Sequence, residues 1–157
     1  MPEITAERWS ELYDRAFPQV YRALVAATFD RERALDGLHD AFEEGLRHPP
    51  PDDRNLEGWL FRVALRTTRR GLFRARREAP IGERAARDDI AAMIDRLEVG
   101  RLLALLTPRQ RAIVVAHYYL GLTQEEIAGA LGIRRGTVSA TVSQSLARMR
   151  ERGTARG

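Results

Sequence analysis

The chain has no cysteine and no lysine, and no apolar run in it approaches the length of a bilayer crossing. Without cysteine there is no disulfide framework and no thiolate metal site. A spanning helix needs about 20 mostly apolar residues, and no charged-then-apolar leader opens the chain, so a cytoplasmic protein is expected. Without lysine, all 26 basic residues are arginines. That is the composition of a GC-rich genome, and by itself it says little about function.

The placement of charge says more than the net value of +4. Seven arginines fall between Arg62 and Arg77, whereas Asp30 to Glu44 holds six acids against two arginines. One segment offers a cationic surface and its neighbour an anionic one. At 157 residues and 44% apolar content, the chain can bury a core as one domain or two small ones.

Periodicity throughout is helical, and no segment alternates as a strand does, so an all-α fold is expected. A first helix over about 6–29 aligns Trp9, Leu12, Tyr13, Phe17, Val20, Leu24 and Val25, with Pro18 expected to bend or divide it. A second, over about 31–47, aligns Ala34, Leu35, Leu38, Ala41, Phe42 and Leu46. The run His48-Pro49-Pro50-Pro51-Asp52-Asp53 must be a loop. A third helix is expected over about 57–77. Residues 79–88 lose the apolar repeat and contain Pro80 and Gly82, which reads as a linker between a domain over 1–78 and another over 89–157. Ile90, Ile94, Leu97 and Leu102 mark a fourth helix ending before Thr107. Two further starts carry capping boxes, Thr107-Pro108-Arg109-Gln110 and Thr123-Gln124-Glu125-Glu126.

Three constellations carry chemistry. Ala128, Gly132 and Val138 have the spacing of a helix-turn-helix: a small residue at the crossing, a glycine for a left-handed turn, and an apolar anchor. Ile127, Leu131, Ile133, Val142, Leu146 and Met149 supply its core. Arg134, Arg135, Thr137, Ser139, Ala140, Thr141, Gln144 and Arg148 are then the candidate duplex-reading set. An ordinary helical hairpin is the plainer reading.

In the third helix Arg62, Arg66, Arg69, Arg70, Arg74, Arg76 and Arg77 share about 160° of arc. Trp59, Val63 and Phe73 lie within that arc, while Leu60, Phe61, Ala64, Leu65, Leu72 and Ala75 face away as core. Cations interleaved with aromatics suit a separated DNA strand, holding phosphates and stacking bases. The alternative is a solvated basic face on which Trp59 merely packs against a neighbour. In the second helix, Asp36, His39, Asp40, Glu43 and Arg47 stand opposite the apolar stripe. They do not make a closed metal-ligand set, and docking onto a basic protein surface fits them better. No nucleophile–base pair appears, so no catalytic residue, metal or cofactor is expected, and the chain is not read as an enzyme.

Taken in order, these phrases resemble the extracytoplasmic-function (ECF) sigma factors of the sigma-70 superfamily. The resemblance rests on Leu12-Tyr13 with Tyr21, Asp36 to Phe42, Trp59 to Ala64, Leu106 to Arg111, Gly121 to Ala128, Leu131-Gly132-Ile133 and Gly136-Thr137-Val138. It implies a σ2 domain over 1–78 and a helix-turn-helix σ4 domain over 89–157. It also implies transcription initiation by binding RNA polymerase core (β′ clamp helices, β flap) and promoter DNA, with an anti-sigma factor as a common switch. Asp36, His39, Asp40, Phe42 and Glu43 would dock on the clamp helices. Arg54 and Asn55 would capture a flipped base of the −10 element. Trp59, Arg62, Arg66, Arg69, Arg70, Phe73, Arg74 and Arg77 would hold the melted strand, and the Arg134 to Arg148 set would read the −35 element. The chain departs from the family at His39, where glutamine is usual, and at Arg66 and Arg70. It also has neutral Ser139, Thr141 and Gln144 where basic residues are usual, so the family's sequence preferences are not carried over. The alternative is a helix-turn-helix regulator that binds duplex DNA without polymerase.

Overall fold

The computed structural model of the chain describes residues 4–74 and 98–154, with side chains over 4–66 and 99–153. Among these, seven α-helices and one π-helical turn form the fold, with no strand. They are α1 (Ala6–Thr28), α2 (Arg31–Arg47), α3 (Leu56–Arg74), α4 (Glu98–Leu103), α5 (Pro108–Val114), the π-helical turn (Val115–Tyr119), α6 (Gln124–Leu131) and α7 (Arg135–Thr154). The linker expected over 79–88 and the start of the fourth helix lie outside the described residues.

Local chemistry accounts for most of the helix starts. Thr5 caps α1 by accepting the Arg8 N–H, and Asp30 caps α2 by accepting that of Arg33. Both expected capping boxes form, Thr107 with Gln110 and Thr123 with Glu126, each satisfying two otherwise orphaned backbone donors. Asn55 Oδ1 accepts the Gly58 N–H at 3.1 Å, which satisfies a free donor in the first turn of α3.

Pro18 does not divide α1, which runs unbroken through it. Proline removes the hydrogen bond to the carbonyl four residues back. Here Asp14 and Pro18 are both exposed, so water can satisfy that carbonyl.

Helices α1, α2 and α3 pack around Trp9, Leu12, Leu24, Leu38, Leu60 and Phe61, all essentially excluded from solvent. An aromatic chain runs along one side. Trp9 meets Trp59 edge-on at 5.4 Å and stacks with Phe42 at 6.3 Å, and Tyr13 contacts Phe42 at 4.6 Å. The Trp9 indole N–H donates to the Phe42 carbonyl at 2.9 Å, fixing the ring. Gly45 lies directly against that ring, and its lack of a side chain is what lets α2 approach α1 so closely.

The apolar stripe of α2 is narrower than its periodicity suggests. Leu35 is 36% exposed and Leu46 is 45% exposed, because α1 and α3 cover only the arc centred on Leu38 and Ala41. Leu35 and Leu46, though on the apolar repeat, are therefore not core.

The second group, α4 to α7, buries Ile113, Leu122, Ile127, Val138 and Val142. The two groups share one continuous apolar cluster, made where α5 packs on α1 and α6 packs on α3.

Candidate nucleic-acid and protein-docking surfaces

Helix α6 ends at Gly132, whose φ of 65° and ψ of 37° place it in the left-handed region that favours glycine. Its N–H closes on the Ala128 carbonyl, and three residues later α7 begins. Val138 is wholly buried and Val142 nearly so, while Ile133, Leu146 and Met149 pack at the margin of the core. This is the helix-turn-helix that the spacing of Ala128, Gly132 and Val138 predicts.

Burial of one face of α7 sets the other outward. Arg134, Arg135, Thr137, Ser139, Ala140, Gln144 and Arg148 are exposed, and Thr141 is half-buried. The set is not uniformly available. Thr141 donates its hydroxyl proton to the Thr137 carbonyl at 2.7 Å, and Arg135 pairs with Glu125 at 3.4 Å. Both sit at the surface, where such pairs contribute at most about 1 kcal/mol and yield readily to a phosphate. Ser145 sits inward with its hydroxyl buried and unpaired.

On α2, Asp36, His39, Asp40 and Glu43 are all exposed on one face. Glu43 pairs with Arg47 at 3.8 Å, whereas Asp36, His39 and Asp40 make no ion pair among the described residues. Phe42 behaves differently from its predicted companions. It is half-buried within the aromatic chain, and its contacts are with Trp9 and Tyr13. No three His, Asp or Glu side chains converge as a metal site would require among the described residues.

The face of α3 is where the structure departs most from a simple wheel. Trp59 packs on Trp9, which is the packing alternative of the sequence reading. Val63 is buried at 8% exposure rather than lying open among cations. Asn55 is engaged twice: beyond accepting the Gly58 N–H, its Nδ2 donates to the Leu120 carbonyl at 3.0 Å. Arg62 pairs with Glu126 of α6 at 3.5 Å, and its Nε is buried with no partner. The causes are the neighbouring elements: α1 meets Trp59, the segment before α6 meets Asn55, and α6 itself meets Arg62.

Arg66 is exposed further along the same helix, and Arg54 stands in the preceding loop close to Asp52. Leu60, Phe61, Ala64 and Leu65 are buried as expected. The side chains of Arg69, Arg70, Leu72, Phe73 and Arg74 fall outside the described residues, as do Ala75, Arg76 and Arg77 entirely.

One buried cation was missed at the level of sequence. Arg111 of α5 is buried, and its Nη1 donates to the Leu106 carbonyl at 2.7 Å and its Nε to the Ala27 carbonyl at 3.3 Å. Its guanidinium lies over the Phe29 ring at 3.9 Å, a geometry that favours a cation over a π-face. Phe29 itself ends α1 at a φ of 53°. The only sequence signal was the position of Arg111 in the first capping-box helix, where an arginine is unremarkable.

No helix among the described residues is long and apolar enough to cross a membrane. The Sigma-70, region 4 family matches residues 96–149, the segment that holds the helix-turn-helix. The chain is 28% identical over 150 residues to the ECF RNA polymerase sigma factor SigL of Mycobacterium tuberculosis, covering 88% of this chain and 85% of the relative. It is 36% identical over 110 residues to the RNA polymerase sigma-E factor of Streptomyces coelicolor, covering 67% of this chain and 62% of that one. Among solved structures, CnrH in complex with the cytosolic domain of CnrY matches with a TM-score of 0.62 at 24% identity, over 96% of this chain and 90% of that one. A helix-turn-helix behind a three-helix acidic-and-basic front half, with these matches over most of the chain, makes this protein similar to the extracytoplasmic-function sigma factors.

Proposed function

We propose that the chain binds RNA polymerase core through the front half and directs it to promoters through both halves, acting by binding rather than by bond chemistry, in the cytoplasm. In this reading 1–78 serves core docking and the −10 element, 79–88 is the linker, and 89–157 serves the −35 element. The observation that carries this reading is the pair of polar surfaces left open on one small fold. Asp36, His39 and Asp40 stand exposed and unpaired by other described residues on α2, and Thr137, Ala140, Gln144 and Arg148 stand exposed on the second helix of the helix-turn-helix.

An acidic helical face suits a basic protein surface, where charge complementarity mainly sets the rate and orientation of encounter. The face of α7 suits the major groove, where Gln144 can reach a base edge and Arg134 and Arg148 can reach phosphates. With neutral side chains at Ser139 and Thr141, fewer phosphates are neutralised there than a basic helix would manage, which lowers the salt dependence of −35 binding.

The deciding experiment mixes the chain with purified core polymerase and measures association and promoter-specific transcripts. Asp36→Arg with Asp40→Arg is expected to weaken core association at least tenfold while far-UV circular dichroism stays unchanged. Unaltered affinity would remove α2 as the docking face. Duplex binding by the parent with no core association would favour a free-standing regulator instead.

A further inference from the structure

A cavity of about 530 Å³ opens among α1, α4, the π-helical turn and α7. We infer that it binds a single-chain amphiphile with an anionic head, of the class of free medium-chain fatty acids, with the tail inside the cavity and the carboxylate at Arg22. The inference stands apart from the function proposed above.

The walls fix the chemistry of the tail. Ala26 of α1, Val99 and Leu103 of α4, and Leu146 and Met149 of α7 line the cavity, and none of the described residues around it is an acid or an amide. Such walls hold water poorly, since each water needs about two to four polar partners, and this favours an apolar occupant. The volume falls within the range of small-ligand pockets, about 300–1,000 Å³. A methylene takes up about the space of one water, about 30 Å³, so a saturated chain of about 10 to 14 carbons fits with its head at the opening.

The opening fixes the chemistry of the head. Arg22 is the one charged residue in the lining. It is exposed and makes no ion pair among the described residues, so its guanidinium is available to a carboxylate. Tyr118 and Tyr119 also line the cavity while 58% and 46% exposed, which brings two phenol groups to the same opening. Regular α-helical spacing would continue the buried stripe of Ala112, Val115 and Ala116 into Tyr119. The π-helical turn, closed by the Leu120 N–H on the Val115 carbonyl at 3.2 Å, swings Tyr119 outward instead. Single π-helical turns inside α-helices recur at functional sites. His117 steadies this one: its Nδ1–H donates to the Leu122 carbonyl at 2.9 Å, and its ring meets Tyr118 edge-on at 4.8 Å.

The probe is sodium laurate, titrated into the full-length chain by isothermal calorimetry below its micelle-forming concentration. One saturable site per chain is expected. From octanoate through decanoate to laurate, affinity should rise about tenfold for each pair of methylenes, since each one buried contributes about three- to fourfold. Dodecyltrimethylammonium, with the same tail and a cationic head, should bind at least tenfold more weakly than laurate. Arg22→Gln, at an exposed position, should weaken laurate about 2- to 5-fold and leave the cationic amphiphile unchanged. Ala26→Phe fills the cavity and should weaken both at least tenfold, with circular dichroism and Tm reporting that the fold survives.

The absence of a saturable laurate site would overturn the inference, as would equal affinity for the two head groups. So would Ala26→Phe at parental affinity in a folded chain, which would put laurate elsewhere. Sedimentation with phosphatidylglycerol vesicles, without binding of monomeric laurate, would assign the surface to a membrane lipid and defeat the proposal. A dimer of the parent in analytical ultracentrifugation that Ala26→Phe abolishes and laurate does not displace would give the cavity to a second copy, and would defeat it too.

Discussion

Substituting alanine for a helical glycine normally stabilises a protein, by roughly 0.5–1 kcal/mol, since glycine has the more flexible unfolded chain. At Gly45 the sign should reverse. A Cβ built there falls inside the indole of Trp9, with Cη2 2.6 Å away and Cζ2 and Cε2 nearer still. The ring cannot swing aside. Its N–H is bonded to the Phe42 carbonyl, Phe42 and Trp59 flank it, and it is 1% exposed. Overpacking a closed core costs about 1–3 kcal/mol, and a lost indole hydrogen bond about 1 kcal/mol more. After the helix-propensity gain is subtracted, Gly45→Ala is expected to destabilise by about 1–3 kcal/mol. For a chain of this size that lowers Tm by roughly 3–10 °C. Gly129 of α6 is the internal control: its helix is regular there and its Cβ position meets nothing within 4 Å. Gly129→Ala should raise Tm by about 1–4 °C in the same calorimetric experiment. Opposite signs support the packing argument. A stabilising Gly45→Ala would refute it, and Trp9→Phe combined with Gly45→Ala should recover part of the loss through coupling.

Three further outcomes follow from single side chains. Arg111→Met should cost about 2–4 kcal/mol in urea unfolding, since it strands the buried Leu106 and Ala27 carbonyls; a loss under 1 kcal/mol would mean the guanidinium carries little. Burial, with the neighbouring Asp14 charge, pushes the Tyr13 phenol up to about 12. An unfolded tyrosine ionises near 10, so stability is intact below pH 10 and is lost as pH climbs from 10 through 12. Tyr13→Phe, which also deletes an unpaired buried hydroxyl, should leave neutral stability equal or up to about 1 kcal/mol higher and flatten that alkaline loss; an unchanged alkaline slope would contradict the assignment. Gln144→Ala should alter which upstream duplex sequences are preferred in a randomised-site selection, and a preference identical to the parent's would take Gln144 out of the reading set.

Much of the fold was written locally. Thr107 with Gln110, and Thr123 with Glu126, announce their helices because a cap is decided within four residues. Gly132 and Val138 announce the helix-turn-helix for a similar reason, a turn and an anchor six residues apart. The exposed acids of α2 were legible as well, since the apolar stripe of that helix fixes the direction opposite to it.

What tertiary packing decided is which part of each predicted face is covered, and by what. Periodicity compares a helix only with itself, so it placed Leu46 with Leu38 and left Val63 among arginines. Packing reversed both: Leu46 is left 45% exposed and Val63 is buried. Glu126 read as a cap and Arg62 as a phosphate ligand until the fold set them 3.5 Å apart across 64 residues of chain. Arg111 read as an ordinary helical cation until its partners arrived from a helix more than 80 residues earlier. Helix starts and turns depend on adjacent residues and are settled by the sequence itself; the pairing of Arg62 and the burial of Arg111 depend on surfaces that exist only once distant helices have docked.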